Sequence, residues 1–381
     1  MSTYQYYEFQ AVDRPLTRQQ MDELREYSTR AQITPSSFVN FYDWGDLRGD
    51  PERWIEEYFD TFLYLANWGS RWFMLRLPEK LLSQELAASY CAGDSFTCRQ
   101  SDGNLILSFE SLEEDYEWVD GEGWLGSLVP LRSDLMRGDH RALYLGWLLA
   151  VQSEEVGRDV LEPAVPPGLG ELNASLVRFC DFLRIDSDLI AAAAERSPGK
   201  RATALSREEI RAWIAALPVA EKDELLFRLV EGDDPNLAVV LEQRATLELR
   251  GGSESDRGAR RTVGELVAYT ELLTEARVKR EAEEYAREQA RIEQEEAEQR
   301  QEYLESLFGK EEKLWAKIES LVAAKQPKKY DEAVLLLEDL RDLAEMEGDR
   351  VAFFQRLSAL YRQHTRKTSF VDRLLKAKLL G

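Results

Sequence analysis

The apolar and polar positions of the first 155 residues change rhythm several times. Residues 4–12 are aromatic and β-branched and predict a strand that Asp13, Arg14 and Pro15 end. A helix start follows: Thr17 can cap the amide of Gln20, Gln20 can reach back, and Leu16 can staple onto Met21. Residues 37–44 predict a second strand. Asp50 and Pro51 then open a helix carrying a broad apolar face of Trp54, Ile55, Tyr58, Phe59, Phe62, Leu63 and Ala66, which Gly69 ends. Residues 71–77 predict a third strand and residues 80–89 a short helix. Two runs, 95–99 and 104–110, flank Asp102 and Gly103 as a β-hairpin. Residues 118–130 read as irregular, and residues 133–152 as one helix with Leu143, Trp147 and Val151 on its buried face.

Beyond residue 160 the strand rhythm stops. Residues 163–170 are rich in Pro and Gly and predict a linker. Residues 171–250 carry helical periodicity, with a capping box at Ser206 and Glu209 and breaks at Pro218 and Pro235. Residues 251–261 are rich in Gly, Ser and Arg and predict a flexible linker. A helix from about residue 262 to 308 contains the run 275–302, which is mostly charged and lacks Gly and Pro. Residues 310–381 predict a helical tail, with an antiparallel pair around Gly348. The expected fold is therefore α+β: an N-terminal mixed α/β domain (1–160), an all-helical middle region (161–250), the linker, the long charged helix (262–308) and a C-terminal helical hairpin within the tail (310–381).

In the charged helix, Val278, Tyr285 and Ile292 lie seven apart, one line of a coiled-coil seam. The companion line, Ala282, Gln289 and Glu296, is a poor seam. A coiled coil that would make a homodimer, and a spacer whose Tyr285 and Ile292 rest on another part of the chain, both stay open. Pairs such as Glu275 with Lys279, Glu283 with Arg287 and Glu296 with Arg300 would support the helix.

Charge narrows the partners. The net charge is −22. Residues 1–160 hold 28 acidic and 14 basic side chains, a balance that repels nucleic acid and anionic lipid. The last twenty residues are the exception: Arg362, His364, Arg366, Lys367, Arg373, Lys376 and Lys378 make them net positive, the one place where a nucleic acid or acidic partner fits. No apolar run approaches the length of a membrane span, and the N-terminus has no secretory pattern. Three cysteines, Cys91, Cys98 and Cys180, fit a reducing compartment. The expected location is the cytoplasm.

Candidate chemistry is sparse. Glu113, Glu114, Asp115, Glu117, Asp120 and Glu122 form a dense acidic stretch without calcium-loop spacing. Trp118 and Trp124 beside it are candidates for a protein-docking site or for core packing. Cys91 and Cys98 are too far apart in sequence for a usual zinc pair. His140 and His364 sit in no nucleophile motif, and no phosphate-binding glycine loop occurs. No catalytic residue, metal or cofactor is expected.

Several stretches resemble a family of uncharacterised bacterial proteins: YYEFQAVDRPL at residues 6–16, LANWGSR at 65–71 and YLGWL at 144–148. The tail stretch AKQPKKYDEA at 324–333, with His364, Thr365, Arg366 and Lys367, resembles the helical tail of some bacterial SWIM zinc-finger proteins. This chain has no zinc-ligand motif, so only the tail is shared, and the resemblance implies a shared partner and no catalytic residue. The reading is of a non-enzymatic interaction or scaffold protein whose N-terminal domain and tail each dock a protein. Its candidate contact residues are Trp118, Trp124, Tyr285, Ile292, Tyr330, Arg366 and Lys367. The alternatives are an enzyme or enzyme subunit using Asp43, Asp46, Asp50, Asp60 and Asp120, and an accessory protein of a nucleic-acid-processing or defence system acting through the basic tail.

Overall fold

Strand β1 (Gln5–Gln10) is the organising element of the first half of the chain: it pairs on one side with β3 (Ser37–Tyr42) and on the other with β4 (Thr61–Ala66). With β2 (Gln32–Thr34), β5 (Arg71–Pro78), β6 (Phe96–Ser101) and β7 (Asn104–Ser111) they form a seven-stranded sheet of order β2-β3-β1-β4-β5-β7-β6, in which every neighbouring pair is antiparallel. The structure is a computed structural model and describes residues 4–112, 119–199, 205–232, 234–250 and 260–380. The fold is α+β, as the pattern predicts.

Alternation along the strands sends side chains to both faces, and both are buried. On one face Tyr7, Phe9, Phe38, Phe62 and Met74 pack with α1 (Arg18–Tyr27) and α2 (Pro51–Glu57), around the fully buried Trp54. On the other, Leu63, Phe73, Leu75, Phe96 and Phe109 meet α4 (Trp124–Leu128), α5 (Pro130–Met136), α6 (Arg141–Gln152), α7 (Ala174–Leu183) and α8 (Ser187–Ala194). A short α3 (Gln84–Ala88) lies against β6. Gly146 lets α6 approach the sheet, since a Cβ there would sit 2.5 Å from the Phe109 ring.

Three local expectations change. The helix expected from Asp50 to Gly69 ends at Glu57, and residues 61–66 are the central strand β4. A strand covered on both faces is apolar at nearly every position, so Phe62, Leu63 and Leu65 imitate the broad face of a helix. Gly69 belongs instead to the turn between β4 and β5. The helix expected over 133–152 is two, α5 and α6, because Gly138 takes φ 87° between them. The hairpin around Asp102 and Gly103 is as expected, with both residues at positive φ.

The chain divides into two compact units, Met1–Ala276 and Arg277–Gly381. The boundary expected at residue 160 is not a boundary of packing: Leu176, Phe179 and Phe182 of α7 share one core with Phe73 and Phe109. Buried arginines close the seam. Arg71 donates to the carbonyls of Asp181 (3.0 Å) and Phe182 (2.7 Å) at the end of α7. Arg141 pairs with Asp139 (2.6 Å) and donates to the carbonyls of Gly168 (3.0 Å) and Glu171 (2.9 Å), pinning the Pro/Gly segment expected to be a linker. Arg261 pairs with the buried Glu162 (2.7 Å) and donates to Ala192 O (2.9 Å). Of the flexible linker expected at 251–261, residues 251–259 lie outside the described residues, and Arg261 is fixed.

Three further helices, α9 (Arg207–Ala216), α10 (Val219–Glu231) and α11 (Leu237–Arg250), complete the first unit with the opening turns of α12 (Val263–Glu305). In the second unit the end of α12 joins α13 (Glu311–Ala323), α14 (Pro327–Glu347), α15 (Arg350–His364) and α16 (Thr368–Lys376). The expected hairpin, α14 and α15 around Gly348, lies inside this larger bundle. Its core holds Leu304, Trp315, Ile318, Tyr330, Leu337, Leu357 and Phe370, with α14 packed on α13, α15 and α16.

Candidate interaction surfaces

Helix α10 buries none of its residues. Its sequence places Val219, Leu226 and Val230 at spacings of seven and four, one line along the helix. All three are exposed, Val230 to 85%. Phe227 and Leu229 flank the line and are also exposed, as are Ile210 and Ile214 on α9. Such a face is a candidate interaction surface where a rigid support holds it.

The support is present. Trp213, Leu217 and Ala245 form a small core with Leu205, Leu225 and Leu241. Arg244 links α10 and α11 by pairing with Glu221, and pairs with Glu248 at 2.7 Å. The Trp213 indole N–H donates to Glu248 (2.7 Å), and Arg250 reaches Glu209 (3.5 Å). The Glu248 carboxyl is held below its ordinary value by the Trp213 donor first and Arg244 second, so it is an anion in this lock at neutral pH. Helix α11 in turn is tied to the sheet side: Asn236 donates to Asp13 (3.2 Å), Gln243 to Leu81 O (3.0 Å), and Arg137 pairs with Glu242 (3.1 Å). Asp234 receives Lys80 (2.6 Å) and Arg228 (3.2 Å). Val239 and Val240 pack on the main core. One side of the α9–α11 layer is thus anchored, and the other presents the apolar face.

This face was absent from the sequence-derived candidates, although one signal points to it. Residues 225–230 read LLFRLV, five apolar side chains in six positions. Six consecutive positions go all the way round a helix, so a single neighbouring layer cannot cover them.

The candidates drawn from the sequence scatter. Trp118, and Glu113, Glu114, Asp115 and Glu117 of the acidic stretch, lie outside the described residues. Trp124 is half-buried: the Arg178 guanidinium lies 3.8 Å above its ring, Phe182 packs at 5.5 Å, and its N–H donates to Asp120 O (3.1 Å). In the second unit Tyr330 is buried against Phe370 at 5.5 Å and fills the core rather than a surface. Lys367 donates to Val322 O (2.6 Å) at the end of α13, where a cation satisfies a terminal carbonyl. Burial, then Lys325, holds its pKa below the ordinary lysine value. Arg366 is exposed. Tyr285, 68% exposed, Ile292 and Val278 are exposed along α12. The pairs along this helix are Arg277 with Glu281 (3.2 Å) and Arg291 with Glu288 (2.5 Å) and Glu295 (3.7 Å), while Arg300 turns to Asp339 and Asp342 on α14.

Four carboxylates of the enzyme alternative have separate structural tasks. Asp50 caps α2. Asp46 accepts from the Tyr7 hydroxyl (2.6 Å), and Asp120 from Tyr4 (3.5 Å). Asp60 is buried, accepts the amides of Val12 (2.6 Å) and Asp13 (2.9 Å), and pairs with Arg76 (2.8 Å). Among the described residues no group of His, Cys, Asp and Glu could hold a metal ion, and no helix is long and apolar enough to cross a membrane. His140 precedes α6 and His364 ends α15; burial lowers the pKa of both. No protein-family model, curated protein or solved structure matches this chain.

Proposed function

We propose that this chain is a non-enzymatic interaction protein, and that its principal contact is the outward face of α9 and α10. The observation that carries the reading is that α10 keeps Val219, Leu226, Phe227, Leu229 and Val230 in solvent while its polar side is locked to α11 by Glu221 and Arg244. The partner is a protein, because a helix face of branched and aromatic side chains gains free energy by covering apolar surface, at roughly 25 cal/mol per Å². It offers no concentration of cations for a phosphate backbone: Lys222 and Arg228 are accompanied on the same helix by Glu221, Asp223, Glu224 and Glu231.

The test is co-purification of full-length protein from its host, comparing wild type with Leu226→Glu/Val230→Glu and with a control pair on the exposed α12 stripe, Tyr285→Glu/Ile292→Glu. Light scattering of the purified protein reports self-association in parallel. The expected result is a stoichiometric partner bound by wild type and by the α12 variant and lost by the α10 variant. If the α10 variant keeps every partner of the wild type, the assignment of this face is wrong.

A further inference from the structure

Two of the three thiols come together although seven positions separate them. Cys91 follows the end of α3, and Cys98 lies on β6, the outermost strand of the sheet. The antiparallel bridge between Ala92 and Phe96 closes the turn between them, and α3 packs against β6. Both side chains are half-buried and lie against the same core. The Cys91 thiol donates to Ala87 O, at 3.4 Å, and Cys98 is its electrostatic neighbour. Cys180, the third thiol, is buried on α7.

We propose that Cys91 and Cys98 are a peroxide-sensitive dithiol site, in which Cys98 is oxidised first and Cys91 closes a reversible disulfide. The roles follow from the bonding of Cys91, whose S–H is held by Ala87 O. Its neighbour Cys98 and then burial push the Cys91 thiol up, while Cys98, beside Cys91, is held below its ordinary value despite burial. The thiolate is the nucleophile in such chemistry. Cys98 sulfur attacks one oxygen of hydrogen peroxide; the S–O bond forms, the O–O bond breaks, and the departing hydroxide takes a proton to leave as water. Cys91 sulfur then attacks the sulfenic sulfur of Cys98; the S–S bond forms, the S–O bond breaks, and the hydroxyl leaves as a second water with the Cys91 proton. Two thiols lose two electrons in all, and one peroxide becomes two waters. A dithiol reverses the step by exchange. In a chain with so few cysteines, such a pair is a sensor rather than a scaffold.

The experiment uses the full-length wild-type protein, reduced, desalted and exposed to equimolar hydrogen peroxide. No Lys or Arg lies between the two cysteines, so trypsin leaves both on one peptide, bounded by Lys80 and Arg99. The expected peptide has lost two hydrogens and no longer reacts with iodoacetamide; dithiothreitol restores both thiols. In Cys91→Ser, dimedone captures a sulfenic acid at Cys98, whereas in Cys98→Ser the Cys91 thiol stays unlabelled. The proposal fails if both wild-type thiols still alkylate, or if Cys98 proceeds to sulfinic acid while Cys91 remains a free thiol.

Discussion

Arg132 and Asp13 face each other as a two-pronged ion pair, Nη1 to Oδ1 at 2.8 Å and Nη2 to Oδ2 at 2.6 Å. Asp13 follows β1 and Arg132 lies on α5, so the pair fastens that helix to the rim of the sheet. The Arg132 Nε adds a bond to Arg76 O (2.7 Å), and Asp60 lies 3.9 Å from its Nη2. Removing the guanidinium would leave Asp13 short of its cation and the buried Asp60 with Arg76 alone. Breaking a buried pair from one side costs about 3–5 kcal/mol. Arg132→Met is therefore expected to lower the unfolding free energy by about that amount, read from urea titration of tryptophan fluorescence. A loss below about 1 kcal/mol would show that the cluster is not a structural lock.

The same cluster shows what was legible in the chain and what was not. Capping boxes at Thr17 and Ser206 and the Asp102–Gly103 turn are local, because their hydrogen bonds join residues three or fewer apart, and all are present. Arg132 and Asp13 are separated by 119 positions. No spacing rule connects them, nor Arg71 with the Asp181 carbonyl 110 positions on, so the inclusion of α7 in the sheet's core could not be read from the sequence. Strand β4 was hidden for another reason: burial on two faces erases the alternation that identifies a strand. Tyr330 was misplaced because a tyrosine on a charged-flanked helix looks the same whether its ring meets solvent or, as here, Phe370. The α10 face could have been found, since LLFRLV exceeds what one side of a helix can bury.

The α10 face carries a prediction that separates binding from stability. Val230 and Leu226 are exposed, so replacing either with Glu should change the unfolding free energy by no more than about 0.5 kcal/mol. Trp213 is buried beneath the same layer, and Trp213→Ala should cost about 3–5 kcal/mol locally. Hydrogen exchange of the α9–α11 amides measures both. Deprotection of α10 by Val230→Glu would mean that its apolar face is already holding the layer together.

Cys180 predicts an alkaline effect. Burial, then the neighbouring Asp181, pushes its thiol from 9.0 up to about 12. The folded chain keeps this proton where the unfolded chain has lost it, so the contribution to stability is complete below pH 9 and declines as pH rises towards about 12. Cys180→Ala should lose stability at neutral pH through the cavity it leaves, yet show a shallower decline across that window than wild type. Denaturation midpoints taken at intervals from pH 8 upward test this; parallel curves would mean that Cys180 titrates alike in both states.

The second unit should fold without the first. Its core, from Leu304 to Leu379, is drawn entirely from residues beyond 300, and the ion pairs of Arg300 with Asp339 (2.5 Å) and Asp342 (2.8 Å) close it at the α12 end. Arg356 adds a pair with Glu312, and Arg373 donates to Asp331 (2.5 Å). A fragment of residues 297–381 retains all of these, together with the aromatic contacts Trp315–Phe353 and Tyr330–Phe370. It should be helical by circular dichroism and melt in one cooperative transition. Leu337 is fully buried on α14, the helix that touches α13, α15 and α16, so Leu337→Ala should remove about 2–5 kcal/mol from that transition. A fragment that is helical but melts without cooperativity, or a Leu337→Ala variant that melts like the parent, would show that this bundle depends on chain lying before residue 297.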